Sequence, residues 1–363
     1  MDRFAVLGPL GAGAFGAVVR ARDRATGDVV AIKRVWRRYA SWDECVALGE
    51  VRVLARLAHP NVVRLREVFR EGGALHFVFE YAAAGSLGGL IRARHEANAA
   101  LPLGDIARLA RDVLRGLAHL HVNGFLHRDL KPDNVLLCTR PGGRRLVAKV
   151  ADLGAAREAD GRALTEYVGT RWYRAPEMLW PRAASAALPA GLPCPVGEGR
   201  PYGPPADVWA CGCVLAELVL LRPLFPGRDE LDTLARVAER LAAGPETLLL
   251  GAPGPVPPSL VSLLEGLLRW RPADRLTAAQ ALAHPFFAEA LGQGREGRSV
   301  LTVSEAGEGE GGCEGAGVPD RVESVPPAAR PQRAERPRAP VPPRPASEAT
   351  GLDAGLVGEG AAW

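Results

Sequence analysis

Residues 127–134 read His-Arg-Asp-Leu-Lys-Pro-Asp-Asn. No other string in the chain constrains the fold as tightly. Three groups of different chemistry must converge: a carboxylate (Asp129), an ammonium (Lys131) and a carboxamide (Asn134). Such a set can orient the proton of a hydroxyl, neutralise charge on a transferring phosphoryl group and bind a metal ion, in that order. Asp152-Leu153-Gly154 follows an apolar, strand-like run, Val147 to Val150, and Asp152 is the expected second metal ligand. Ligands drawn only from oxygen suit Mg2+, which keeps waters and phosphate oxygens in its shell.

Near the N-terminus, Gly11-Ala12-Gly13-Ala14-Phe15-Gly16-Ala17-Val18 forms a G-x-G-x-x-G-x-V string. Glycines let a backbone approach phosphate oxygens and present N–H groups to them. Alone, the string fits a flexible turn or a dinucleotide-binding turn equally well. The dinucleotide version wants a helix after the third glycine, whereas Val18 and Val19 continue as a strand. Val30-Ala31-Ile32-Lys33 lies on the next strand. A lysine ending a strand is commonly a solvated charge. At this distance from the glycines it is placed to hold α- and β-phosphates, if a helix glutamate holds the lysine in turn. Glu50 is the candidate and Glu44 the competitor; the plain alternative for either is an exposed helix charge.

The pattern of apolar residues changes along the chain. Up to Tyr81 it reads as short strands (Phe4–Leu10, Ala17–Arg22, Val29–Val35) with one helix over Asp43–Leu57, stopped by Ala58-His59-Pro60-Asn61. Residues 82–290 are mainly helical. Ile106–His121 is amphipathic, and Val208–Leu221 is apolar nearly all round, as a helix central to its lobe would be. Pro181–Pro205 reads as a long surface loop. Beyond 290 glycine, glutamate, proline, alanine and arginine dominate, so 291–363 is expected to be disordered. The domain reading is therefore α+β: a lobe at 1–81, a second at 82–290 and a tail at 291–363.

With 363 residues and 47% hydrophobic content, the chain can bury a sizeable core. A formal charge of +4 is too mild to imply nucleic-acid binding. The six cysteines lack metal-ligand spacing, and Cys211 and Cys213 flank Gly212 within an apolar run, where burial is expected. A reducing compartment fits this usage. No secretory signal and no membrane span are expected. Ala175-Pro176-Glu177, Arg275 and Asp207 read as props: Glu177 is expected to pair with Arg275, and Asp207 to brace the backbone of the 127–134 loop.

Together these motifs, in this order, resemble the eukaryotic protein kinase fold over about residues 4–287. That resemblance implies two lobes, a small antiparallel sheet with one key helix and a larger helical lobe, using ATP and Mg2+. It implies nucleotide contacts from Leu10, Gly11, Ala12, Gly13, Ala14, Phe15, Gly16, Val18, Ala31, Lys33, Glu50, Glu80 and Leu136. Catalytic roles fall on Asp129, Lys131 and Lys33, and metal ligation on Asn134 and Asp152. Leu153 stands where the family usually has phenylalanine.

Finer features are similar to the CMGC branch. Thr165-Glu166-Tyr167 is a T-x-Y motif leading into Val168-Gly169-Thr170-Arg171-Trp172-Tyr173-Arg174. Dual phosphorylation is implied, with Arg128 and Arg157 around phospho-Thr165 and Arg171 and Arg174 around phospho-Tyr167. Tyr39–Cys45, Asn123–Leu126 and Leu221–Gly227 look like the RCK group, the male-germ-cell-associated and intestinal-cell kinase relatives. This implies serine/threonine protein substrates, preferably followed by proline, an upstream activating kinase, and a part in cilium or flagellum length control. A cytoplasmic, ciliary or nuclear monomer is expected. Three departures stand out: Gly49 replaces an arginine, Pro181–Pro205 is long, and Glu230–Leu260 is too short for the branch's docking insert. Two other readings compete, a pseudokinase scaffold and a small-molecule kinase. The full set Lys33, Glu50, Asp129, Asn134 and Asp152 counts against the first, and the peptide-groove segment Thr165–Glu177 against the second.

Overall fold

The computed structural model describes residues 1–13, 16–39, 44, 54, 56–139, 145–153, 157–158, 171–180, 194–195, 203–292 and 301. Its first lobe is an antiparallel sheet: β1 (Phe4–Gly13), β2 (Gly16–Asp23), β3 (Val29–Arg38), β4 (Leu65–Glu71) and β5 (Ala74–Glu80), in the spatial order β1-β2-β3-β5-β4. Along β3, Val30 and Ile32 pack with Phe4, Ala21 and Val78 in a small core on one face. Alternation leaves Ala31 and Lys33 on the other face. β1 and β3 outrun the expected Leu10 and Val35, because Gly13 still pairs with Gly16 and Arg38 with Ala74. Of the helix expected over Asp43–Leu57, only Glu44, Leu54, Arg56 and Leu57 are among the described residues.

Asn61, next to the proline stop, carries the chain toward the second lobe. It is buried; its side-chain amide donates to the Ala148 carbonyl at 3.0 Å, and its own carbonyl accepts from Val150 at 2.9 Å.

The second lobe holds α1 (Leu87–Glu96), α2 (Leu103–Val122), the short α3 (Pro176–Leu179), α4 (Pro204–Leu220), α5 (Glu230–Ala242), α6 (Pro258–Leu267), α7 (Ala278–Leu282) and α8 (Pro285–Gly292). Two small ribbons complete it: β6 (Phe125–Leu126) with β9 (Arg157–Glu158), and β7 (Val135–Thr139) with β8 (Leu146–Val150). α4 is the expected central helix, buried from Ala206 to Leu220. A methyl group on Gly212 would approach Leu268 Cδ2 to 2.9 Å, so the glycine between the two buried cysteines lets α4 meet the end of α6. Only a 3-10 turn, Pro245–Leu249, stands between α5 and α6, where the docking insert was expected to be short.

Among the described residues no helix is long and apolar enough to cross a membrane. Most of the Pro181–Pro205 loop and of the 291–363 tail lies outside the described residues; Leu301 is described and buried.

Candidate active site

β6 delivers the chain into the 127–134 loop. The loop's shape is set by Asp207, in the first turn of α4. Its Oδ2 accepts the His127 amide at 2.8 Å, its Oδ1 accepts the Arg128 amide at 2.8 Å, and His121 Nε2 lies 2.9 Å from Oδ2. Burial opposes ionisation of this carboxyl, but the hydrogen bond and charge of His121 and the Arg128 amide hold it below the usual carboxylate range. The helix N-terminus favours the same charge. The expected brace is thus in place. It forces Arg128 to φ 72°, a conformation costly for a side-chain-bearing residue.

His127 joins this loop to the strand before Asp152. Its Nδ1 accepts from the Asp129 amide at 3.3 Å, so Nε2 carries the proton and donates to the Ala151 carbonyl at 2.9 Å. Two residues beyond Asp129, Lys131 places its Nζ 2.8 Å from Asp129 Oδ2. Asn134 Nδ2 donates to the Asp129 carbonyl at 2.8 Å and to Asp129 Oδ2 at 3.0 Å. With its nitrogen so engaged, Asn134 keeps its amide oxygen for another partner. Asp129, Lys131 and Asn134 therefore form the cluster read from the sequence.

Asp152 brings the first lobe's lysine to the same site: Lys33 Nζ lies 3.0 Å from Asp152 Oδ1. Desolvation would raise the Asp152 pKa, but the Lys33 charge and hydrogen bond outweigh it and hold the carboxyl low. Asp152 has φ 56°, a second left-handed position within the site. Gly16, Val18, Ala31 and Lys33 lie on adjacent strands, with Val18 opposite Lys33. Leu136 lies on β7 of the second lobe, bridged to Ser86. At the end of β5, Glu80 spends its carboxylate on Lys149 Nζ (2.6 Å) and the Arg64 amide (2.8 Å), and its own amide donates to the Arg64 carbonyl at 3.1 Å. Nothing in the sequence marks Lys149 as its partner. Glu44, the competitor for the Lys33 partner role, pairs with Arg37 at 3.0 Å. Glu50, Ala14, Phe15, Thr165 and Tyr167 lie outside the described residues, as does the Arg157 side chain.

Beside Asp129 a cleft opens, lined by Arg128, Leu130, Tyr173, Arg174 and Met178. Behind this lining, Tyr173 donates its hydroxyl to Glu217 of α4 at 2.8 Å. Burial pushes the Glu217 carboxyl up to about 7, against the opposing pull of that bond. A raised carboxyl pKa means that folding favours the protonated form. Its stabilising contribution is complete below the ordinary value of 4.5 and is lost as pH rises through 7. Glu217→Gln keeps an acceptor for Tyr173 and removes the charge. The melting temperature of this variant relative to the parent should therefore rise between about pH 5 and about pH 8, by the equivalent of roughly 3 kcal/mol. Thermal melts across that range check it; a pH-independent difference would show that Glu217 is not held protonated.

Arg171 and Arg174, expected to face phospho-Tyr167, both lie on Glu230 Oε1 at the start of α5, at 3.3 and 2.9 Å. The sequence reading missed this carboxylate, which is 59 positions from Arg171 and 56 from Arg174. The Glu177–Arg275 pair is as expected, with two contacts of 2.7 Å.

The protein kinase domain family matches residues 4–287. The chain belongs to that family. It is 37% identical over 358 residues to the serine/threonine-protein kinase ICK of Rattus norvegicus, a match covering 92% of this chain and 52% of that protein. It is 38% identical over 310 residues to the serine/threonine-protein kinase MAK of Homo sapiens, covering 79% of this chain and 46% of that protein. The cyclin-dependent kinase F-3 of Oryza sativa subsp. japonica is 37% identical over 310 residues, 79% of this chain and 65% of that protein. The chain thus spans about half the length of the first two relatives. The likeness to the RCK group read from the sequence agrees with these relatives.

Proposed function

We propose that this chain transfers the γ-phosphoryl group of ATP to serine and threonine hydroxyls of proteins, with a preference for a following proline. The observation that carries the reading is the meeting of two groups across the lobes: the Asp129–Lys131–Asn134 cluster, and the Lys33–Asp152 pair. The Asn134 amide oxygen and the Asp152 carboxylate are hard oxygen donors, and they fit Mg2+. When bound, the ion supplies charge neutralisation for the phosphates. The chain's own residues do the positioning. Lys33 and the glycine hairpin hold the phosphates, Asp129 orients the acceptor hydroxyl, and Lys131 faces charge developing on the moving phosphoryl group.

Regulation belongs to the same reading. Phosphates on Thr165 and Tyr167 would order their segment against nearby arginines. Arg171 and Arg174 already hold a carboxylate, so a phosphate at Tyr167 has to share them with Glu230 or displace it. The family resemblance supports a role in cilium or flagellum length, exercised from the cytoplasm. The experiment is phosphate transfer from radiolabelled Mg-ATP to paired peptides with and without proline after the acceptor, using parent and Thr165→Ala/Tyr167→Phe protein. Transfer to serine or threonine, stronger with proline and reduced in the double variant, is expected. No transfer from protein phosphorylated at both sites would favour a scaffold instead.

A further inference from the structure

Trp36 stands on β3, three residues beyond Lys33, and is 53% exposed. An indole this exposed contributes little to a core. Its Nε1–H nevertheless donates to the Gly13 carbonyl at 3.0 Å. Gly13 is the last residue of β1, paired with Gly16 at the start of β2. β2 lies between β1 and β3, so the side chain reaches past an intervening strand to the end of the glycine hairpin. Gly16 is fixed to β3 from the other side of the turn: a methyl group there would come within 2.1 Å of the Arg34 carbonyl oxygen. Both ends of the turn are thus tied to the strand that carries Lys33. Alternation along β3 groups Trp36 with Arg34 and sets them opposite Lys33 and Val35. The tie closes from the outer face and leaves the phosphate side clear.

We propose that Trp36 is a positioning residue for the nucleotide phosphates, acting through the glycine hairpin. A glycine-rich turn has more conformational freedom to lose than any other, and ligand binding must supply the free energy to order it. A hairpin already tied at Gly13 needs less ordering, and that saving appears as affinity. The indole offers one donor and no acceptor, so the tie has a single direction. This inference rests on the nucleotide reading of the site, and its test keeps the two apart by measuring binding without turnover.

The full chain, Trp36→Phe and Trp36→Ala are each titrated with a fluorescent ADP derivative and Mg2+, and melted without nucleotide. Trp36→Phe keeps the ring and removes the N–H. Its dissociation constant is expected to rise about 2- to 10-fold, with Trp36→Ala at least as weak. The nucleotide-free melting temperature of Trp36→Phe should stay within about 1 °C of the parent. In turnover, KM for ATP should rise by the same factor, with kcat within about twofold. Unchanged binding in both variants, with a parent that binds, would overturn the tie. So would a loss of affinity matched by a fall in the nucleotide-free melting temperature, since that would mark Trp36 as a structural support only. A parent that binds no ADP would overturn the nucleotide reading itself, and the tie with it.

Discussion

Asp152→Asn should lower phosphate transfer by at least about 10²- to 10³-fold while the protein stays folded. The substitution is nearly isosteric, and asparagine tolerates the left-handed backbone found at this position (φ 56°) better than most residues. What it removes is charge. Asp152 is held ionised by Lys33 at 3.0 Å, and with Asn134 it provides the hard oxygen atoms of the site. An amide oxygen binds a divalent cation less strongly than a carboxylate does, and Lys33 loses its ion pair with residue 152. Radiolabelled transfer measures the first consequence and a thermal melt confirms folding. A binding measurement separates the causes. Mg2+ should strengthen binding of a fluorescent ADP to the parent far more than to the variant. Transfer within tenfold of the parent would show that the metal is held elsewhere.

The second large effect is on stability. Arg275→Leu should lower the melting temperature by about 10 °C, from a loss of about 3–5 kcal/mol. All five N–H donors of Arg275 have acceptors: Nε on the Arg269 carbonyl, Nη1 on Glu177 Oε1 and the Pro205 carbonyl, Nη2 on Glu177 Oε2 and the Trp270 carbonyl. The guanidinium also lies 4.9 Å above the Trp209 ring. Both charged side chains are buried, at 0% and 2% exposure. Removing the arginine leaves the Glu177 carboxylate desolvated without a counter-charge, and orphans three carbonyls. Arg275→Leu/Glu177→Met, with no stranded charge, should recover a substantial part of the loss. A single-variant shift below about 2 °C would mean that water enters and rescues Glu177.

How much of this was legible in the sequence depends on the range of each interaction. The Asp129–Lys131–Asn134 cluster is local, and spacing alone places it. Asp207, Glu177 and Arg275 were found because each sits in its own recognisable string. Strand ends were less legible: alternation stops at Leu10, but Gly13 goes on pairing because backbone hydrogen bonds do not require side chains. Contacts with one end outside any motif stayed invisible. Glu230 takes two arginines, Lys149 takes Glu80, and Trp36 reaches Gly13, each across a distance in the chain that no periodicity encodes. The raised Glu217 carboxyl belongs to the same class. A glutamate in an apolar helix signals only that something compensates for its burial, and Tyr173 is identified once α4 and the segment before α3 are packed together.

The bond between Asp207 and the two amides of the 127–134 loop also bears on motion. Those amides are fastened to the first turn of the most deeply buried helix, so they cannot open to solvent while that turn stays folded. Hydrogen exchange at the His127 and Arg128 amides therefore reports the unfolding of the first turn of α4 rather than movement of the loop alone.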